Sequence, residues 1–158
     1  MNTILSTNTH RGIMMLVTCL FALLPQFCHA QVKVGNMLMS MKAEGDGAVL
    51  TVDYRGYRED EISNDARLLI KLSEGTVLKL QGTKGEHAFE VEGQLDQLST
   101  AKIIHLSTAS FKLTKAQALS FQKGIAKIRL KTNDDPYEKE FKSDKCGMKL
   151  YEEYKNSL

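Results

Sequence analysis

One cysteine and two histidines are the residues of this chain that could do covalent chemistry. Within residues 31–158, Cys146 is the only cysteine, and His87 and His105 are the only histidines. A thiolate beside an imidazole is the arrangement of a thiol-dependent enzyme, in which the imidazole takes the proton of the nucleophile. The sequence shows no positioned base or oxyanion feature, so we assign no catalytic residue. A small thiol-dependent enzyme using Cys146 with His87 or His105 is kept as an alternative.

Cys146 also has a structural interpretation. Residues 143–154 are predicted as a helix, on which Cys146, Leu150 and Tyr154 follow one another at spacings of four and share a face. A buried cysteine behaves as a small apolar residue, whereas a reactive thiol needs exposure and a low pKa. The pattern therefore favours burial of Cys146 over a reactive thiol, with intermolecular disulfide pairing as a third option.

A recognition surface is predicted in the stretch YRGYR, residues 54–58. Tyrosine and arginine are enriched among the anchor residues of protein interfaces. We therefore predict Arg55, Tyr57 and Arg58 as binding residues, with an unknown protein or another envelope component as the partner. Tyr54 is interpreted instead as a continuation of the apolar face of the first hairpin.

A basic ladder is the second surface feature, because Lys127, Arg129 and Lys131 occupy every second position of a predicted strand. A four-residue loop at NDDP would place Lys131 opposite Glu138 and Arg129 opposite Glu140. These matched charges favour a solvated sheet face over an anion site.

No metal site or cofactor is predicted. The acidic stretches REDEISND and NDDP lack the regular spacing and the glycine of a calcium-binding loop, and the histidines form no H-E-x-x-H pattern. A nucleophile elbow, a phosphate loop and a dinucleotide fingerprint are also missing from the sequence.

Hairpins of an antiparallel sheet are the elements that would carry these residues. A turn at the Gly-Asp pair of the first hairpin matches Met39 with Val52, and a three-residue Ser-Glu-Gly loop in the second matches Leu68 with Leu80. Both registers gather apolar side chains on one face.

The rest of the chain completes one domain. Residues 86–92 and 101–107 are predicted as strands with a loop between them, and a short helix is predicted from a cap at Thr114 to a stop at Gly124. We expect residues 31–158 to form a single α+β domain: an antiparallel β-sheet built from hairpins, with a short helix and a C-terminal helix packed on one face.

Residues 1–30 have the order of a cleavable secretory signal peptide, with the apolar run 12–24 and small residues before a cut after Ala30. Arg11 is the only charged side chain there, so residues 31–158 carry 20 basic and 19 acidic residues. This near-neutral balance argues against nucleic-acid binding. No later apolar run is long enough for a transmembrane segment. We expect export to the periplasm, the cell surface or the extracellular space.

Three stretches of the C-terminal half carry a family resemblance: ARLLIKLSEGTVLKL, FKLTKAQALSFQKGIAKIRLKT and EFKSDKCGMKLYEEY. Over residues 66–154 the chain resembles small exported proteins of Bacteroidota-type bacteria that carry a signal peptide, a strand hairpin and a closing helix–strand–strand–helix segment. The resemblance implies a periplasmic or cell-surface setting and transfers no catalytic residue.

The leading functional hypothesis is an exported, non-enzymatic binding or interaction module of the cell envelope. The thiol-dependent enzyme is one alternative, because Cys146 is the one plausible nucleophile. A structural envelope protein is the other, and it includes a homodimer formed through a sheet edge or through Cys146.

Overall fold

The computed structural model describes residues 31–57, 60–92 and 102–158. The leader and the predicted loop between residues 92 and 102 lie outside the described residues. In chain order the elements are β1 (Val32–Val34), β2 (Met37–Glu44), β3 (Gly47–Tyr57), β4 (Arg67–Leu72), β5 (Val77–Glu92), β6 (Lys102–Thr114), α1 (Lys115–Ser120), a 3-10 turn (Phe121–Lys123), β7 (Ile125–Leu130), β8 (Tyr137–Glu140) and α2 (Lys145–Asn156).

The described strands form one eight-stranded sheet in the order β1-β2-β3-β6-β5-β4-β7-β8. Every strand pair is antiparallel, and most of the sheet comes from hairpins between strands that follow each other along the chain. β5 belongs to both halves of the sheet, since it pairs with β4 up to Gln81 and with β6 from Gly82 onward. The predicted antiparallel sheet with two short helices is confirmed.

The registers of the first two hairpins are confirmed residue by residue. Met39 lies opposite Val52 in the β2–β3 pair, and Leu68 lies opposite Leu80 in the β4–β5 pair. Tyr54 lies opposite Met37 and is 4% exposed, so it continues the apolar face as predicted. Short turns fix these registers, because moving one strand by one residue would turn its apolar side chains to solvent.

The predicted register of the β7–β8 hairpin is wrong by two residues. Arg129 lies opposite Glu138 and Lys127 lies opposite Glu140, so the loop between the strands is longer than four residues. An isolated bridge between Ile62 and Thr132 draws the end of β7 toward another segment of the chain. The predicted face of each cation survives, because a shift of two keeps the side-chain alternation.

β5 is longer than the predicted strand 86–92, because it runs through the glycines of the stretch GTKG. A Cβ atom on Gly82 would lie 2.6 Å from the ring of Phe111 and 2.7 Å from the carbonyl oxygen of Ser110. Glycine is therefore required by the close approach of β6, and it does not mark a turn here.

The apolar core lies on the concave side of the sheet. It combines the buried methionines of β2 with alternate residues of β3, β4, β6 and β7 and with the buried face of α2. The sheet curls until its two edges nearly meet. The Tyr137 hydroxyl of β8 accepts a hydrogen bond from the Asn36 N–H at 3.2 Å, and its ring lies 5.4 Å from that of Tyr54.

Both predicted helices are present. Thr114 caps α1 through a reciprocal pair of hydrogen bonds with Gln117, and Gly124 ends the 3-10 turn with a φ of 82°. α2 contacts β2 and the 3-10 turn most extensively. Its Glu153 accepts a hydrogen bond from the Met41 N–H at 2.9 Å, and Ser157, the C-cap residue that follows the helix, accepts one from the Ala43 N–H at 2.7 Å. The helix thus satisfies backbone donors of β2 beyond the end of β1.

Candidate functional site

The predicted recognition residues lie at the end of the β3–β6–β5 part of the sheet. Arg55 and Tyr57 share the convex face, and both are about half exposed, with the Arg55 side chain at 53% and Tyr57 at 54%. Arg55 forms an ion pair with Glu90 of β5 at 3.0 Å. Arg58 lies outside the described residues. The structure therefore places two of the three predicted residues side by side and gives one of them an internal partner.

The opposite, concave side of the same strand end carries exposed apolar side chains. Val91 of β5 lies directly opposite Ile103 of β6, and Phe89 lies two residues before Val91 on the same face. Their exposed fractions are 68% for Phe89, 47% for Val91 and 52% for Ile103. We call Phe89, Val91 and Ile103 the hairpin patch. With Tyr57 they make up half of the eight large hydrophobic residues that are exposed in the described part of the chain.

The hairpin patch is exposed because β4, which pairs with the first part of β5, ends before the patch begins. The patch continues the face of β6 that carries the buried residues Ala109 and Phe111. β4 pairs with β5 only as far as Gln81, and among the described strands only β6 pairs with residues 87–92. Beyond that point no described strand stands opposite the apolar face. Contiguous exposed apolar side chains of this kind are typical of interaction sites.

A polar cluster separates the core from the hairpin patch. The Nε2 atom of His87 lies 3.0 Å from Nδ1 of His105 and 3.3 Å from Oε2 of Glu61. The same Glu61 oxygen lies 2.9 Å from Nζ of Lys84, which is only 17% exposed. The hydrogen bond from Lys84 lowers the pKa of Glu61, and the charges of Lys84 and His87 act in the same direction against the effect of burial. At the rim of the core, the carboxylate of Glu61 is therefore held by Lys84 and His87 of the same cluster.

Cys146 is buried on the face of α2 that also carries Leu150 and Tyr154. Burial raises the pKa of its thiol to about 11, although the charge of Lys149 opposes this. α2 contacts β1, β2, β7 and the 3-10 turn, whereas His87 and His105 lie on β5 and β6 and contact each other. The thiol is therefore protonated at neutral pH, and the imidazoles are engaged elsewhere.

A basic surface covers the convex face of the β5–β4–β7 half. The registers align the three strands in rows: Lys79, Leu69 and Arg129 form the middle row. Lys71 and Lys127 lie opposite each other in the next row. On the other side of Leu69, the Lys131 N–H donates to the Arg67 carbonyl at 2.9 Å. Six cations thus surround one half-buried leucine: Arg67, Lys71, Lys79, Lys127, Arg129 and Lys131.

Three acids compensate part of this charge: Glu138 and Glu140 of β8, and Asp65, which lies just before β4. Glu138 is 2.7 Å from Lys127 and 3.2 Å from Arg129, and Asp65 is 2.7 Å from Lys131 and 3.2 Å from Arg67. The hydrogen bond from Lys131 lowers the pKa of Asp65 to about 2, with Ser63 helping. Glu140 adds a longer contact to Lys127. Arg129 pairs with its own hairpin as predicted, although with Glu138 and not with Glu140. Lys127, for which no acid was predicted, pairs with Glu138 and Glu140, and the prediction is wrong for Lys131, whose acid is Asp65.

An open groove of about 570 Å³ lies on this surface. Leu69 and Pro136 contribute apolar surface, and Arg67, Lys79, Arg129 and Lys131 line the rim. Lys79 makes no ion pair with another described residue. The ladder pattern predicts only the cations of the β7 segment. The groove also depends on Arg67 of β4 and Lys79 of β5. The alternation RLLIKL and the second hairpin register, both visible in the sequence, could have placed Lys79 beside Leu69.

Among the described residues, no three His, Cys, Asp or Glu side chains form a group that could hold a metal ion. None of the described helices has the length and apolar character needed to cross a membrane. Comparisons of the chain with protein-family models, with curated proteins and with solved structures find no match.

Proposed function

We propose that this protein is an exported, non-enzymatic binding module of a bacterial cell envelope that captures a protein partner at the end of the β5–β6 hairpin. The observation that carries the proposal is the concentration of exposed apolar side chains in the hairpin patch. The Bacteroidota-type resemblance and the predicted leader support the envelope setting. The proposal includes the α+β arrangement in which α2 covers one face of the sheet and leaves the hairpin end accessible.

Two binding modes are combined at this end of the sheet. Apolar anchors at the centre of an interface supply most of its binding energy. The edge of β5 beyond Gln81 is also available to an added strand, since within the described residues it has β6 on one side only. Arg55 and Tyr57 on the reverse face would then form the polar rim of the interface.

The non-enzymatic part of the proposal rests on the three residues that could do covalent chemistry. Burial of Cys146 and its raised pKa disfavour a thiolate nucleophile. His87 contacts both His105 and Glu61, and the two histidines lie on strands other than those that α2 contacts most. These contacts support a binding role over thiol catalysis.

The test compares two valines of the same strand. Val91 in the hairpin patch and Val77 at the start of β5 are both 47% exposed, so V77S is a matched control for V91S. Immobilised wild-type protein and the variants V91S, F89S/V91S, V77S and R55E are incubated with envelope extract of the source bacterium, and the captured proteins are identified. We expect F89S/V91S to lose one specific partner by about thirtyfold, which corresponds to about 2 kcal/mol of anchor energy.

The control V77S should capture the partner like wild type. Equal capture by wild type, F89S/V91S and V77S would overturn the proposal. Loss in R55E together with retention in F89S/V91S would move the site to the convex face predicted from YRGYR. Circular dichroism of each variant separates a lost contact from a lost fold.

A further inference from the structure

The second surface of the molecule, the basic groove, points to a ligand of different chemistry. We propose that the groove binds a single anionic lipid, with the phosphate among the cations of the rim and the acyl chain along Leu69 and Pro136. This inference goes beyond the protein-binding module described above and uses the other half of the sheet.

Charge complementarity is the first argument for an anionic ligand. Six cations and three acids meet on this face, so these residues together carry a net charge of three positive charges. The acids lie on the β8 side and at Asp65, and this leaves Lys71 and Lys79 as the cations without an ion pair to another described residue. Lys71 also faces Lys127 directly across the β4–β7 pair. These two lysines lie outside the lining of the groove, so the positive charge within the groove is that of Lys79 together with the paired cations Arg67, Arg129 and Lys131.

The shape and lining of the groove favour an amphiphile over a small inorganic anion. Its volume of about 570 Å³ lies in the range of small-molecule sites and is much larger than a phosphate requires. Leu69 and Pro136 add apolar surface between the charged ends, and the stems of Lys79 and Arg129 extend that surface. Arginine is well suited to a phosphate because its guanidinium binds two oxygens at once.

The groove also argues for one lipid molecule over a membrane surface. It is a concavity whose rim cations come from three strands and surround the half-buried Leu69. A bilayer surface would instead attract exposed cations through long-range charge alone.

The test uses isothermal titration calorimetry with lauroyl lysophosphatidylglycerol below its critical micelle concentration. We expect saturable binding by wild-type protein. Lauroyl lysophosphatidylcholine, which has the same chain and no net charge, should bind at least about tenfold more weakly, as should glycerol phosphate, which lacks the chain. Binding should weaken as salt is added, because the rim is exposed and its charges are screened.

Lys79 offers the sharpest variant, because it is exposed and makes no ion pair with another described residue. K79E should weaken lysophosphatidylglycerol binding by about tenfold or more. K112E is the matched control, since Lys112 is an exposed strand lysine of β6 outside the groove. It makes the same charge change and should leave the affinity unchanged.

Four results would overturn the proposal: equal affinity for both lysolipids, glycerol phosphate binding as tightly as the lipid, equal effects of K79E and K112E, or binding to phosphatidylglycerol vesicles without binding to the monomer. The last result would indicate a membrane-surface contact. The F89S/V91S variant should bind lysophosphatidylglycerol normally, and K79E should still capture the protein partner. Failure of one proposal is therefore distinguishable from failure of the other.

Discussion

The basic groove and the hairpin patch lie at opposite ends of one strand, β5, and they differ in how far the fold satisfies them. At the groove, three of the four rim cations have carboxylate partners on neighbouring segments, and Lys79 has none among the described residues. At the hairpin patch, no described strand stands opposite the apolar side chains. A row of cations in the sequence therefore suggests more unpaired charge than the folded surface carries. An alternating apolar pattern suggests more buried side chains than the fold covers.

The buried thiol of Cys146 is the alternative to these two surfaces as a functional site. Raising the thiol pKa from 9 to about 11 lowers the thiolate fraction at neutral pH by about a hundredfold. We expect iodoacetamide to label Cys146 at least about a hundred times more slowly in the native protein than in denaturant. Mass spectrometry of timed samples measures both rates. Fast native labelling below about pH 7 would break the comparison and favour the thiol-enzyme alternative.

The sign of the pH dependence follows from the same thiol. Its folded pKa lies above its unfolded value of 9, so its contribution to stability is complete below pH 9 and is lost as the pH rises toward 11. A C146A variant should therefore lose less stability than wild type over this range. Unfolding in urea at three alkaline pH values measures the difference.

At Gly82, β5 passes from one half of the sheet to the other. In G82A the new methyl group would meet the buried Phe111 ring and the Ser110 carbonyl oxygen, and overpacking of this kind costs about 2 kcal/mol. G85A is the control on the same strand, because its Cβ would make ordinary contacts beginning at 3.5 Å. Urea unfolding measures both variants. If G82A matched G85A, the two halves would be less tightly joined at this point than the structure implies.

The smallest expected effect concerns Glu61, which borders the hairpin patch. Its pKa is lowered by Lys84, so its contribution to stability is present above its unfolded pKa of 4.5 and is lost as the pH falls below that value. E61Q should be destabilised by about 1 kcal/mol at neutral pH and should approach wild type near pH 3. Thermal unfolding at both pH values tests this. E86Q is the control, since Glu86 is exposed on the same strand and makes no ion pair with another described residue.

The sequence predicted the parts of the fold that depend on short-range geometry. Met39 meets Val52 and Leu68 meets Leu80 because tight turns fix those registers. The β7–β8 register differed because a distant bridge from Ile62 lengthens that loop, and such a contact leaves no local pattern. The continuation of β5 through its glycines was not predicted, since close approach of another strand cannot be read from one segment alone.

The candidate surfaces were predictable to a different degree. The chemistry of Arg55, Tyr57 and the β7 ladder is visible in the sequence, and so is the alternation that puts Phe89 and Val91 on one face. The residues that surround them cannot be read from the sequence, because strand order decides both that β4 lies beside the β7 cations and that the β4–β5 pairing ends at Gln81. Local pattern gives the face of a side chain, and long-range pairing decides what covers that face.

The contact between Tyr137 and the β1–β2 turn has a consequence for the order of folding. Its hydrogen bonds reach Asn36 and Val34, which precede Tyr137 in the chain by 101 and 103 positions. Closing so long a segment costs more chain entropy than forming any of the hairpins, so we expect this contact after the transition state. Until it forms, the edge strands β1 and β8 remain accessible to other chains. The polypeptide would therefore be most prone to aggregation in the interval before its sheet closes.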